Sequence, residues 1–486
     1  SNFKSDGFRQ YSAVEREHLN AKFVIETERG KALIITNYLD NKYAQEPGSL
    51  TAAQYRDTPY MAQSANITGK YGKSFTQGIY GFVFDGKINS NTSYKYRLYT
   101  GDRQFVGAAS DYSVIDRKFM GSAFDLISKT LIAGIPVKFM GGFEYDYVKD
   151  YRLAYTNTGG VMGATPTRNE DNLANNYGTY IQSEWTLSDK YTGLVGLRYT
   201  TVKLEVNDRY LNDSIDGSGS KKYDGLSPVF GLTYHLNEFT NIYGQIGSGF
   251  ETPTLNEVLY INTGTGASDY QNKFDLSVKS SRSNQAELGI KWRPSDRVRA
   301  DAAIFYAKTQ NDIVPNITRV TGSTWGNATT ERYGVEFSGQ YITPNNILLR
   351  SALTAMAAKY DESTTSASDG NKMPGIPGAQ LYFDMAWRST DWLVKPKMTY
   401  SELGIDFRYT GKNYVDSRDS SLSGVRRNSI TTDAYSLVGL RASHNYKNGA
   451  HTLTLFGRLD NLFDQKYVSS VVVNQASARY YEPGMP

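Results

Sequence analysis

Polar and apolar residues alternate along most of this chain, and the alternation is easiest to read near its end. Leu437-Val438-Gly439-Leu440-Arg441-Ala442-Ser443-His444-Asn445-Tyr446 leads to a polar turn, Lys447-Asn448-Gly449, and the chain returns through residues 451–463. Asn-Gly between two alternating runs predicts a β-hairpin. On the return strand Leu453, Leu455 and Leu459 share one face, while Thr454, Arg458 and Asp460 share the other. The same division recurs upstream. Ala286, Leu288, Ile290 and Trp292 oppose Glu287 and Lys291. Val298, Ala300, Ala302, Ile304 and Tyr306 oppose Arg299 and Asp301. Tyr333, Val335, Phe337 and Tyr341 oppose Arg332, Glu336, Ser338 and Gln340. One face of each strand suits hydrocarbon and the other suits water. A soluble sheet turns its polar face to solvent, whereas a transmembrane barrel turns the polar face to its lumen and the apolar face to lipid.

Repetition separates the two. The pattern predicts about nine hairpins, or roughly 18 strands. The first is His18–Thr27 with Ala32–Tyr43, the second Ile67–Phe84 with Ser93–Phe105. The third, Arg117–Ser128 with Val137–Tyr147, is followed by a long Gly/Asn-rich loop to Asn175. Next come Tyr177–Leu187 with Tyr191–Val206, Leu226–Leu236 with Asn241–Gly249, and Gln285–Trp292 with Val298–Val314. Tyr333–Ile342 with Ile347–Tyr360 and Leu381–Trp387 with Met398–Tyr409 precede the terminal hairpin, the latter pair joined through Trp392–Lys397. Turns of about three to six residues alternate with loops of roughly 10 to 35, the rhythm of an outer-membrane barrel with tight periplasmic turns and long outer loops. Trp292, Tyr341 and Tyr446 stand beside the turns, where an interfacial aromatic girdle belongs. The expectation is an all-β chain: a transmembrane antiparallel β-barrel.

Composition narrows the function. Across 486 residues, 53 basic side chains nearly balance 49 acidic ones, which leaves no general basic field for nucleic acid. Cysteine is absent, which removes disulfides, Fe–S clusters and thiolate metal sites. No apolar run is long enough for a membrane helix, which leaves a barrel open because its strands are apolar only at alternate positions. His18, His235, His444 and His451 show no ligand spacing, so no protein-borne metal site or cofactor is expected. Gly247-Ser248-Gly249 lacks the strand-turn-helix setting of a nucleophile elbow, and Asp460 and Asp464 read as lumen and loop groups, so no enzyme is expected. No linker divides the chain, and its abrupt start at Ser1-Asn2-Phe3, with no signal peptide, suggests a stretch cut from a longer protein.

Four motifs carry a family resemblance. Arg458-Leu459-Asp460-Asn461-Leu462-Phe463-Asp464-Gln465-Lys466-Tyr467 is followed by Tyr480-Tyr481-Glu482-Pro483-Gly484. Gly247-Ser248-Gly249-Phe250-Glu251-Thr252-Pro253-Thr254-Leu255-Asn256-Glu257 ends a strand and opens an outer loop. Met373-Pro374-Gly375-Ile376-Pro377 leads into the strand at Leu381, and Asn327-Ala328-Thr329-Thr330-Glu331-Arg332-Tyr333-Gly334-Val335-Glu336 into another. Together they resemble TonB-dependent outer-membrane receptors. Their wording is similar to the enterobacterial branch that imports pyrroloquinoline quinone, including Val471-Val472-Val473-Asn474 before Arg479.

The resemblance implies an integral barrel of about 22 strands in the Gram-negative outer membrane, among lipid and lipopolysaccharide. It implies a monomer that binds a scarce ligand outside, a pyrroloquinoline quinone or a ferric siderophore, and imports it with energy from TonB–ExbB–ExbD acting on an N-terminal plug. Plug, first strands and last strand are missing from residues 1–486, so one seam in the sheet, about four strands wide, is expected. The expected ligand-binding residues are Phe250, Glu251, Asn256 and Glu257, with Arg332, Arg408, Arg426, Arg427 and Arg479 as cations for carboxylates, and Tyr480 and Tyr481 as stacking surfaces, joined by Tyr333 and Tyr409. Bracing of loop or plug is the competing role for the carboxylates, lumen pairing for the arginines. The alternative function is a passive outer-membrane porin.

Overall fold

The computed structural model describes residues 1–262, 270–317, 323–364, 366–393 and 399–486. One antiparallel sheet of 19 strands dominates it. Strand β1 (Asn2–Ser5) is short and pairs with β2 (Val14–Thr27), which pairs with β3 (Gly30–Gln45). There follow β4 (Gly72–Lys87), β5 (Thr92–Ala108), β6 (Asp111–Ile132), β7 (Ile135–Thr158), β8 (Val161–Ser188) and β9 (Tyr191–Asp208). Then come β10 (Gly219–Asn237), β11 (Thr240–Glu251), β12 (Ser281–Ser295), β13 (Val298–Ile317), β14 (Thr324–Ile342) and β15 (Ile347–Tyr360). The last four are β16 (Ala379–Arg388), β17 (Tyr400–Thr410), β18 (Tyr435–Asn448) and β19 (His451–Leu459). Each strand pairs with its neighbours in sequence. Among the described residues β1 and β19 pair on one side only, so the ladder has the single expected interruption.

All nine hairpins read from the alternation are present, and the faces fall as the pattern requires. The apolar face is the exposed one: Leu288 is 53% exposed, Leu455 61% and Val335 45%. The polar face is sheltered and cross-linked between strands. Asp384, fully buried, accepts from Arg350 Nε at 2.9 Å and forms an ion pair with Arg441 Nη1 at 2.7 Å, and Arg458 Nη2 donates to the buried Asp406 at 2.8 Å. Farther round, Arg97 and Tyr180 both donate to Asp125, at 2.9 and 2.8 Å. A soluble fold would hide the leucines and bathe the arginines, so the sheet is built to stand in lipid around a polar lumen.

Three expectations are corrected. The Gly/Asn-rich stretch between Tyr147 and Asn175 is not a loop: β7 and β8 continue as a paired hairpin to Gly159-Gly160. Both glycines have positive φ, 59° and 84°, which permits a two-residue reversal. The connection between β5 and β6 is equally tight, at Ala109-Ser110, because Val106 and Ile115 keep the alternation going past the predicted ends. Long outer loops are therefore not invariable. Finally, the strand placed from Ile67 starts at Gly72, since Ser64–Thr68 forms a short helix. Most of the Trp392–Lys397 connection lies outside the described residues.

Replacing Leu288 by Arg puts a charge on the lipid face and should cost about 2–4 kcal/mol of bilayer stability near the midplane. Denaturant titration of the protein in lipid vesicles measures this. A stability equal to wild type would mean that the face does not meet hydrocarbon.

Candidate ligand-binding site

Tight turns gather at one end of the sheet, for example at 28–29, 133–134 and 189–190, and most of the longer connections at the other. The dry packing of the molecule lies at this second end. Leu204, Val206, Tyr223, Val258, Leu259, Phe274 and Val278 form one cluster, under the segment that follows β11. Val314, Ala328, Ala358, Tyr360, Ala367 and Met373 form a second. Val415, Val468, Tyr480 and Tyr481 form a third, with Tyr55 and Ile430 against it. A barrel that gives its strands to lipid and water has little interior of its own, so its loops supply the mouth with a core.

A polar lock fastens the third cluster. Asp416 is fully buried and accepts from Arg418 Nε at 2.8 Å and from the Tyr480 hydroxyl at 2.7 Å. Arg427 Nη1 lies 3.5 Å from the same carboxylate and donates to the Tyr480 oxygen at 2.7 Å. Burial alone would raise the Asp416 carboxyl, but the Arg418 guanidinium and the Tyr480 hydroxyl outweigh it and hold the group below the ordinary carboxylate range. The Tyr480 hydroxyl is pushed up to about 12 by burial and by that carboxylate. Asn474 ties three segments together: its Oδ1 accepts from Ser417 N at 2.8 Å and its amide donates to the Pro315 carbonyl. Asn371 donates to Ser417 O and Asp419, and Asn428 to Lys372 O and Asp416 O.

The predicted site residues divide by what already holds them. Arg427, Tyr480 and Tyr481 belong to the lock, with Tyr481 donating to Thr431 O at 3.4 Å. Arg426 donates to Asn371 and Asp419. Arg332 donates to Asp312 at 2.7 Å and to Thr330 and Thr309 at 3.1 and 3.3 Å. Phe250 packs on the first cluster with Arg282 over its ring, centroid distance 5.5 Å. Glu257 accepts from Thr254 N at 2.7 Å and completes a capping box, so it braces the loop. Arg408 reaches Asp406 only at 3.4 Å. Glu251 and Asn256 are exposed, and half-buried Arg479 has no hydrogen bond or ion pair among the described residues. Tyr333 pairs with Tyr306 and Tyr409 with Leu381, which puts both on the apolar, lipid-side face. Sequence reasoning missed Asp416, Arg418, Asn371 and Asn474; the run Asp416-Ser417-Arg418-Asp419 was the available signal, but nothing local shows that its partners lie some 50 residues away along the chain.

A second tie joins the two ends of the chain. After β19 a short ribbon, Val468–Val471 with Tyr481–Pro483, reaches the loop between β3 and β4, where Leu50 and Tyr481 exchange backbone hydrogen bonds of 2.9 and 3.1 Å. Beside it the buried Arg9 donates to Glu482 at 2.9 Å and to the carbonyls of Gly48 and Met61. Burial pushes the Glu482 carboxyl up to about 7, with Glu46 adding and Arg9 opposing.

The histidines stand apart from one another: His235 bonds Thr192 and Asn241, and His444 bonds Ser401. Among the described residues no cluster of His and carboxylates could hold a metal ion.

Comparison with known proteins agrees with this architecture. The sequence profile of the family described as "TonB dependent receptor-like, beta-barrel" matches residues 14–462. The catecholate siderophore receptor Fiu of Escherichia coli K12 is 25% identical over 259 residues, covering 53% of this chain and 30% of that receptor. The metal-pseudopaline receptor CntO of Pseudomonas aeruginosa PA14 is 22% identical over 294 residues, 59% of this chain and 36% of that protein. These matches thus span about a third of each relative's length. Among solved structures, the ferric citrate transporter FecA in unliganded form superposes with a TM-score of 0.76 at 16% identity, over 98% of this chain and 69% of that one. The closed form of E. coli Fiu gives 0.72 at 16% identity, over 100% and 75%.

Asp416→Ala would leave Arg418 and Arg427 without their buried carboxylate, a loss of about 3–5 kcal/mol for a buried pair. We expect trypsin to cut at Arg418, Arg426 or Arg427 in the folded variant and not in wild type; equal protection would deny the lock. The tie at Glu482 should depend on pH. Its folded value of about 7 exceeds the ordinary 4.5, so its contribution to stability is present below pH 4.5 and is lost as pH rises through 7. Hydrogen-exchange protection at residues 48–50 and 481–483, taken relative to the intrinsic base-catalysed rate at each pH, should fall between pH 5 and pH 8, and Glu482→Gln should flatten that fall.

Proposed function

The chain belongs to the TonB dependent receptor-like β-barrel family, and from that premise we propose that it is the barrel of an outer-membrane import receptor for a scarce iron chelate. Its work is selective binding at the outer mouth followed by release driven from the periplasm. The energy comes from TonB with ExbB and ExbD, acting on a plug that the whole protein carries, and no bond of the ligand is made or broken. The receptor acts as a monomer. The barrel is completed to about 22 strands, with β1 and β19 pairing beyond the strands described.

One observation carries the reading: the loops at one end are locked into a fixed mouth above a polar lumen, while the strands below present a continuous apolar face to lipid. A general porin needs an open bore and does not need loops fastened by buried ion pairs. Within the mouth, Glu251, Asn256, Arg408 and Arg479 offer polar groups that the fold leaves free or weakly held. Arg332, Arg426, Arg427, Tyr480 and Tyr481 set its shape, with Phe250 and Glu257 fixing the loop beside it. The relatives named as catecholate siderophore and metal-pseudopaline receptors favour a chelated metal as cargo. The motif likeness of the Gly249–Thr254 and Val471–Pro483 stretches favours pyrroloquinoline quinone as the second reading.

Deletion of the full gene decides between them. In iron-limited medium the deletion strain should lose uptake of radiolabelled ferric catecholate, and a strain lacking TonB should lose it equally. Uptake that survives without TonB would indicate passive diffusion. Loss of growth on limiting pyrroloquinoline quinone alone would reassign the ligand, and loss of neither would overturn both readings.

A further inference from the structure

On the sheltered face of β4 to β7, away from the lock, the charges do not balance. Arg103 on β5 stands directly opposite Arg117 on β6, with Gln77 on its other side. Two like charges opposite each other on one face of a sheet are unfavourable unless something neutralises them. Arg117 has its own counterion: Nε and Nη2 each donate to the buried Asp150, both at 2.7 Å. Arg103 has none. Its guanidinium lies 4.6 Å from the centre of the Phe75 ring and 5.2 Å from that of Phe105. Its Nε is buried without a hydrogen-bond partner, and the side chain makes no hydrogen bond or ion pair among the described residues.

The two rings do for Arg103 what a carboxylate does for the other lumen arginines. They fix its plane, shield its stem and attract the cation, but they leave its outer N–H donors unused. Asp150 accepts from Arg117 with both oxygens and makes no hydrogen bond or ion pair with Arg103 among the described residues. Elsewhere on this face Arg97, Arg198, Arg350 and Arg458 each have a carboxylate partner. A positioned, unneutralised guanidinium between aromatic rings, beside a second arginine, is suited to a planar oxyanion taken bidentately.

We propose that Arg103, held between Phe75 and Phe105 beside Arg117, is a ligand-contacting residue of the lumen wall, and that it selects chelates with negatively charged catecholate or carboxylate oxygens on an aromatic ring. The inference rests on the import reading above and adds to it the charge and shape of the cargo. Arg103 grips the oxyanion edge, and the two phenylalanines flank the ring that bears it. A neutral chelate gains nothing from this contact.

The test uses the full-length receptor extracted from outer membranes, with the ferric complex of 2,3-dihydroxybenzoate as probe and calorimetric titration as readout. Arg103→Gln should weaken binding at least about tenfold, the loss of one charge-assisted bidentate contact. Arg103→Lys should recover part of it, since the charge returns without the planar fork. Arg29→Gln, in an exposed periplasmic turn, should bind as wild type and calibrates the measurement. A neutral ferric hydroxamate, if bound, should be insensitive to Arg103→Gln. Should wild type and Arg103→Gln bind the catecholate complex equally, the assignment of Arg103 falls and the import reading stands. Should wild type fail to bind it, with TonB-dependent uptake also absent in cells, the import reading falls and takes this one with it.

Discussion

A backbone that crosses hydrocarbon must pair every amide with another amide, since no water is there to accept or donate. With no helix long and apolar enough to cross a membrane among the described residues, that leaves the antiparallel sheet. The nineteen-strand ladder is the direct answer to this demand, and the alternation of side chains follows from it. Once the pleat fixes the period at two, successive side chains point to opposite faces, and the sequence decides which face is greasy and which is wet. Leu288, Val335 and Leu455 on one side, with Asp384, Arg441 and Asp406 on the other, record that decision.

The same demand explains where rigidity is found. A sheet one layer thick, wet inside and greasy outside, cannot bury a core between layers as a soluble domain does. Packing moves to the loops, where Leu204, Val258 and Phe274 or Val415 and Tyr480 exclude water together. Buried charge moves there too. The Asp416 carboxylate is worth burying only because Arg418, Arg427 and Tyr480 converge on it; with fewer partners its desolvation would go uncompensated. In the lumen, Arg350 and Arg441 restrain Asp384, and Arg458 restrains Asp406, in the same way.

How much of this was legible in the sequence follows from the range of the forces involved. The hairpins were legible because alternation and turn chemistry act within a few residues: Asn448-Gly449 announces its own reversal. The β7–β8 hairpin was misread because Gly and Asn look like loop wherever they cluster, although residues 148–158 and 161–174 keep enough alternation to pair. The mouth was harder. That Glu257 would cap its own helix could be read from Thr254 three residues before it. That Arg427 and Tyr480 would meet over Asp416, across 53 residues, could not. Nor could the imbalance at Arg103, which depends on the register that sets Arg117 opposite it.

The tie between Arg9 and Glu482 joins residues 473 positions apart. Chain entropy opposes so distant a meeting until the intervening sheet has drawn its ends near, and only then does the contact become inexpensive. It should therefore be among the last contacts made during assembly, a seal applied to a nearly finished wall. A barrel carrying a mispaired strand would present these two residues out of reach of each other, so the rim itself distinguishes a completed fold from a failed one.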